Sequence, residues 1–469
     1  MGLTRRQLLA ASGLAAAGLA TGCETAEKPS AGRVSFPEDF RFGMATSAYQ
    51  IEGAVRADGR GPSIWDTFCA RPGTIDDGSS GEIACDHFHR WESDLDLLQR
   101  LGAQSYRFSI AWPRVLPEGR GAVNQRGLDF YRRLVDGLKQ RGIDAVATLF
   151  HWDLPQVLQD GGWWENRDCA SWFADYATVV FDALDGVNVW LTINEPKIIV
   201  QQGYQLGWMA PGLGDNVAAG TVIHNLGLAH GLAVQSFAAV GLPGAIGACH
   251  VLSPVYPADE SMDTRAHVSV TDAWENTLYL DPVLKGSYPK QLASFDPDIR
   301  RGLESAIVSG DLEIISSPAD LLGLNYYSPI VIDASGQPVR RYPVASNGWR
   351  QVHAGGLYDV LVRLHNDYDV DVVITENGLP DDTMSAPGDD QSRIEFLRDH
   401  LLAVRRAMAD GASVLGYHAW SLLDNFEWAR GYTQRWGLVH VDFDTQRRTP
   451  KASARWLADV INQRSVPER

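Results

Sequence analysis

Eight short apolar runs recur along the chain: Phe40–Thr46, Ser105–Ile110, Asp144–Phe150, Val187–Ile193, Ala245–His250, Asp320–Asn325, Asp371–Thr375 and Val414–Ala419. Each reads as a buried strand. Longer stretches with helical periodicity lie between them, including Trp91–Leu98, Gly127–Gln140, Trp172–Leu184, Thr221–Val240 and Ile394–Asp410. Eight strands with a crossover after each predict an α/β fold, a single (β/α)8 TIM barrel rather than an open doubly wound sheet. The links after the first, fourth, fifth and sixth strands are long. In a barrel such elongated βα loops form the active-site cleft at the C-terminal strand ends.

Composition fits this picture. The chain has 469 residues, 45% hydrophobic and 21% charged, which is enough for one large core. A net charge of −17 argues against nucleic acid and anionic lipid as electrostatic partners. Fifteen Trp and fifteen Tyr are many; most belong to a core, and a subset in a cleft would suit sugar rings.

The N-terminus reads as separate from the fold. Arg5 and Arg6 form the twin arginine of a Tat export signal, and a small-residue apolar stretch follows to about Ala20. That stretch is too short for a permanent membrane span. Leu19-Ala20-Thr21-Gly22-Cys23 resembles a lipoprotein processing site, although its Leu stands one position too far from the Cys. The expected organisation is a signal peptide over 1–22, a polar tether over 23–33 lipidated at Cys23, and a (β/α)8 barrel domain over 34–469. The expected location is the cell envelope, reached by the Tat route. Cleavage nearby without lipidation is the alternative, giving a secreted or periplasmic protein. Cys69, Cys85, Cys169 and Cys249 show no Cys-x-x-Cys spacing and no paired His pattern, so they read as buried or free thiols. Nothing in the sequence requires a metal or another cofactor. His87, His89, His224, His230 and His418 read as structural or surface histidines.

Chemically expensive residues collect where the strands finish. The first strand runs into Ser47-Ala48-Tyr49-Gln50, and the second contains Arg107 and leads to Trp112. The third ends at His151-Trp152, the fourth at Asn194-Glu195, the sixth at Asn325-Tyr326-Tyr327, the seventh at Glu376-Asn377 and the eighth at Trp420. His250 is a weak candidate on the fifth. Glu195 and Glu376 supply the two carboxyl groups that cleavage of a glycosidic bond requires. Taken singly, either Glu fits equally well as a helix cap or an ion-pair partner.

The ordered motifs resemble glycoside hydrolase family 1, the β-glucosidase-like retaining glycosidases, from about Phe36 to about Leu457. The resemblance rests on Phe42–Gly53, Tyr106–Trp112, His151–Pro155, Thr192–Pro196, Asn325–Tyr327, Thr375–Gly378 and Trp420–Trp428. It implies that Glu376 is the nucleophile and Glu195 the acid/base. It implies that Arg107, Tyr327 and Asn325 support the nucleophile, and that Asn194 donates to the sugar 2-hydroxyl. Gln50, His151, Trp152, Glu427 and Trp428 would bind the non-reducing sugar, Trp420 would lie under its ring, and Trp349 would line the aglycone side. Glu427 would repel a phosphate, which favours an unphosphorylated glycon.

The match departs from the family pattern in three places. Lys197 follows Asn194-Glu195-Pro196 where many relatives have an aromatic. It could bind an acidic aglycone, but the favoured reading has it snorkelling to water. Arg350-Gln351-Val352-His353-Ala354 is atypical beside Trp349, and Trp436 replaces a commoner Phe or Tyr. The expected activity is hydrolysis of terminal β-D-glucosyl residues, with β-galactosyl or β-fucosyl residues as side substrates. The expected partner is a small-molecule β-glycoside or oligosaccharide. A transglycosidase of the same fold and a non-catalytic sugar-binding lipoprotein are the rivals.

Overall fold

The computed structural model describes residues 32–348, 350–380 and 390–468. The signal-peptide and Cys23 expectations therefore lie outside the described residues, as does Trp349. Eight parallel strands close into a barrel: β1 (Arg41–Ala45), β2 (Ser105–Ser109), β3 (Asp144–Phe150), β4 (Val187–Asn194), β5 (Ala245–Val251), β6 (Leu321–Asn325), β7 (Val372–Asn377) and β8 (Val414–Trp420). Each pairs with its sequence neighbours, and β8 pairs with β1 to close the ring. All eight expected strands are present, with bounds shifted by a residue or two.

The principal crossover helices are α1 (His87–Arg100), α2 (Gln125–Gln140), α3 (Cys169–Ala183), α4 (Asn216–Val240), α5 (Pro297–Ala306), α6 (Ala354–Tyr368) and α7 (Gln391–Ala409). A last helix, α8 (Ala452–Gln463), follows β8. Helix α2 shows why they form: Leu128, Tyr131, Leu134, Val135 and Leu138 recur at helical spacing and are buried, while its other face is charged. Helix α4 is apolar on all sides and long enough to cross a membrane, yet most of it is buried within the protein. Its first turn is capped by Asp215, whose carboxylate accepts from Val217 N at 2.8 Å and Ala218 N at 3.0 Å.

The apolar interior is layered. Val146, Val189, Leu191, Ala245, Cys249, Leu321 and Val373 fill the lower barrel. Ala45, Val251, Tyr327, Trp420 and Trp436 cluster at its C-terminal mouth. At the opposite end, Arg33–Ser35 pairs antiparallel with Ser465–Pro467. Arg33 is thus part of the folded base, one residue before the expected start of the domain. The fifth crossover is more elaborate than its sequence indicated, with helices at Met262–Asp272, Leu278–Lys285 and Asp311–Ile315 besides α5.

Candidate active site

Barrel closure brings distant residues into contact at the C-terminal rim. Asn194 on β4 is the register partner of Cys249 on β5, and Glu376 on β7 is the partner of Asn325 on β6. Both pairings follow a register shift, between Leu191 and Asn194 and between Ile374 and Glu376. Such irregularities re-aim side chains at barrel rims. Glu195 itself has φ +49°, Trp152 has φ +80° and Trp428 has φ +54°. Residues with side chains rarely adopt this conformation, and strain of about 1–3 kcal/mol per residue collects at functional sites.

Arg107 organises the floor. Its side chain is fully buried and points up inside the barrel. One guanidinium nitrogen donates to Glu376 Oε1, another to Asn194 Oδ1 at 2.7 Å, and Nε donates to Thr148 at 3.1 Å. The Tyr327 hydroxyl donates to the other oxygen of Glu376. Glu376 is therefore held by a cation and a phenol at once.

Glu195 has different surroundings. Burial pushes its carboxyl up to about 7, and the nearby Glu376 carboxylate pushes in the same direction. The bond from Asn325, with Lys197 and Arg350, pulls the other way. Asn325 corrects an expectation. The resemblance places it on the nucleophile, but its amide donates to Glu195 Oε1 at 2.7 Å and to Asn194 Oδ1 at 3.2 Å. The reason is its oxygen, which accepts from Thr375 Oγ1 at 2.6 Å and so turns the NH2 group toward β4.

Lys197 gives a second correction. It does not reach water. The side chain is buried, and Nζ donates to Glu275 Oε2 at 2.9 Å. The helical turn after Pro196 directs it against the wide turn Ala273–Thr277, where the carboxylate offsets its desolvation.

The glycon wall is built from β1, β3 and the segment after β8. The Asn194 amide donates to His151 Nε2 at 3.1 Å, because its oxygen is already used by Arg107 and Asn325. Burial holds His151 well below its ordinary pKa, and the Arg107 charge adds to this, so the ring is neutral with its proton on Nδ1. That Nδ1 is buried without a hydrogen-bond partner among the described residues. Gln50 donates to Asn425 at 3.0 Å and to Glu427 Oε2 at 3.3 Å. Burial raises Glu427 to about 8, with Arg350 opposing and Glu376 reinforcing the rise. The rings of His151 and Trp420 are nearly parallel at 6.0 Å, and Trp152 and Trp428 meet at 4.6 Å. The Trp152 indole donates to Asn194 O at 2.8 Å, which fixes its position.

Two rim candidates belong elsewhere. Trp112 stacks on Tyr176 at 4.4 Å and is core. His250 lines a small pocket between the barrel and α4, together with His230. The five histidines expected to be structural or at the surface have partners: His87 with Asp94, His89 with Asp86, His224 with Asp311, His230 with Thr192 and His418 with Ser105. Cys69 and Cys85 are free thiols.

An eight-stranded barrel whose rim carries two differently held carboxyls beside an aromatic and amide-lined pocket has the architecture of a glycoside hydrolase. Residues 33–466 match glycosyl hydrolase family 1, and the chain belongs to that family. It is 44% identical to beta-glucosidase A of Acetivibrio thermocellus over 92% of this chain and 98% of that relative. It is 42% identical to a bifunctional beta-D-glucosidase/beta-D-fucosidase of Bifidobacterium breve, over 92% and 99%. The solved beta-glucosidase from Thermotoga maritima in complex with glucoimidazole superimposes with a TM-score of 0.86 at 39% identity, covering 92% of this chain and 99% of that one.

Sequence reasoning missed Arg350 as a site residue. Its guanidinium carbon lies 4.4 Å from the Tyr327 ring centroid and 5.1 Å from that of Trp436. The departure from the family pattern at 350–354 was the available signal.

Proposed function

We propose that this chain is a retaining β-glucosidase that removes terminal β-D-glucosyl residues by double displacement. One observation carries the reading. Two buried rim carboxyls are joined through Arg107, Asn194 and Asn325, yet one is held by a guanidinium and a phenol while the other has a raised proton affinity. In the first step a Glu376 oxygen attacks the anomeric carbon, and Glu195 gives its proton to the departing oxygen. Forming the ester removes the negative charge of Glu376. Glu195 then loses one of the causes of its raised proton affinity and accepts a proton from water. The water oxygen attacks the anomeric carbon, Glu376 leaves, and two inversions restore the β configuration. Asn194 and the Nδ1–H of His151 supply donors to the sugar hydroxyls, and Gln50 with Glu427 reads adjacent hydroxyls on the far side.

The names of the relatives support a glucoside, and the bifunctional relative supports β-fucosides as a side substrate. We extend the proposal to the N-terminus: Arg5-Arg6 and the sequence before Cys23 support export by the Tat route and a lipid anchor.

Proton NMR of 4-nitrophenyl β-glucoside hydrolysis tests the activity. The first-formed sugar should be the β anomer, and cellobiose should yield glucose. The α anomer would contradict double displacement, and intact cellobiose with an intact aryl glucoside would leave only a binding protein.

A further inference from the structure

The segment that departs most from the family pattern carries a built feature. Gln351 is buried, and its side-chain oxygen accepts from Arg341 N at 2.7 Å and Tyr342 N at 2.9 Å, while its amide donates to Val339 O at 3.2 Å. Three backbone groups of the irregular segment Val339–Tyr342 are thus tied by one side chain. A bridge between Val344 and Gln351, and a bond from Ala345 N to Arg350 O at 2.8 Å, close the hairpin. His353 stacks on Tyr342 at 4.0 Å and seals its base. The result holds Arg350 over the mouth of the barrel.

Resting on the β-glucosidase reading, we propose that Arg350 is a positioning residue for the reaction: its guanidinium, laid on the rings of Tyr327 and Trp436, fixes the phenol that holds Glu376 and adds its positive charge to those of Arg107 and Lys197 among three carboxyls. The geometry is direct. Tyr327, Trp436 and the guanidinium form a triangle: the guanidinium carbon lies 4.4 Å from the Tyr327 ring centroid and 5.1 Å from that of Trp436, and the two rings meet edge-on at 5.5 Å and 80°. The Tyr327 hydroxyl is a donor to the attacking carboxylate, so any freedom of this ring becomes freedom of the nucleophile. A planar guanidinium suits this place because it stacks as well as carries charge, which a lysine ammonium does not.

The charge matters as well as the stack. Glu195 faces the carboxyls of Glu376 and Glu427, the cations Arg107, Lys197 and Arg350, and the neutral Tyr327 and Cys249. Glu427 faces Glu195, Glu376 and Arg350. Arg350 lowers the proton affinity of both. Arg107 is occupied by Glu376 and Asn194, so Arg350 is the cation that tempers Glu427.

The experiment compares pH–rate profiles of the full chain, Arg350→Gln and Arg350→Lys on 4-nitrophenyl β-glucoside, with thermal unfolding of each. In Arg350→Gln, kcat/KM should fall about tenfold or more, and the alkaline limb should move up by about half a pH unit or more. Arg350→Lys should keep the limb near its original position and still lose kcat, since charge returns without the stack. A glutamine variant with kcat/KM within about twofold and an unmoved limb would overturn the proposal. A lysine variant with unchanged kcat would overturn its stacking half. If both variants lose their cooperative unfolding transition, Arg350 is a structural residue and the proposal fails. An inactive parent chain would instead count against the β-glucosidase reading and take this inference with it.

Discussion

Asn325 donates to Oε1 of Glu195 at 2.7 Å, although it stands beside Glu376 in the sheet register. The barrel thus lets a neighbour of one carboxyl serve the other. A donor on a carboxylate favours its ionised form, and here it opposes the rise that burial and Glu376 impose on Glu195. Replacing Asn325 with Ala should therefore raise the proton affinity of Glu195. The alkaline limb of kcat/KM marks loss of the protonated acid, so it should move to higher pH, by about one unit if the bond is a typical charge-assisted one. An unmoved limb in the Asn325→Ala variant would show that the bond does not tune the acid.

The nucleophile assignment has a sharper test. Glu376→Gly removes the attacking oxygen and leaves space beside Arg107. Turnover of an activated aryl β-glucoside should drop by about four orders of magnitude or more. Azide or formate should restore part of it, and azide should yield the α-glycosyl azide because only one inversion then occurs. Undiminished turnover in the variant would refute the assignment.

The acid/base residue should declare itself through pH. Its carboxyl, raised to about 7, must be protonated for the first step, so kcat/KM should fall as pH rises through that region. In Glu195→Ala the alkaline limb should vanish, and substrates with poor leaving groups should suffer far more than activated aryl glucosides. A bell-shaped profile identical to that of the parent would remove Glu195 from its role.

Lys197 is predicted to matter for stability more than for substrate choice. Its ammonium is buried against Glu275, and deleting one partner leaves the other charge poorly compensated. Lys197→Met should destabilise by about 2 kcal/mol, less than for a fully enclosed pair because Glu275 keeps some contact with water. The double variant Lys197→Met/Glu275→Gln should recover part of the loss. Chemical denaturation measures both. A large rise in KM for glucosides of acidic aglycones in Lys197→Met, without loss of stability, would instead make Lys197 an aglycone contact.

The legible and illegible parts of this molecule divide on physical grounds. Barrel strands are covered on both sides, so Ala145–Phe150 and Leu321–Leu324 read as apolar runs in the sequence itself. Residues at their ends are legible by position, as His151, Asn194 and Glu376 show. Partnerships across the barrel are not. Nothing local to Lys197 reveals Glu275, and nothing local to Asn325 reveals that Thr375 will turn its amide toward Glu195. The helices of the fifth crossover were hidden for another reason: the run is broken by a widened turn at Ala273–Thr277 and by Pro282 inside a helix, which interrupt regular spacing. Arg350 sits on an irregular hairpin, where no periodicity marks a half-buried charged residue as turned onto the site.

Asp153 offers a stability test at the edge of the site. It follows Trp152, is fully buried, and neither carboxyl oxygen has a hydrogen-bond partner among the described residues. Burial pushes its pKa up to about 8, with Arg60 opposing and Glu52 reinforcing the rise. An unfolded aspartate titrates near 4. Because the folded pKa lies above the unfolded one, the folded state binds the extra proton between those values. The contribution of this residue to stability is therefore greatest below about pH 4, falls as pH rises toward about 8, and is constant beyond. Asparagine keeps the shape and removes the titration. The difference in unfolding midpoint, Asp153→Asn minus parent, should thus increase steadily across that window and level off above it. Measuring Tm for both proteins at several pH values cancels the groups they share. A difference that is flat across the window would mean that Asp153 stays ionised in the folded protein, held by Arg60 more strongly than its burial opposes.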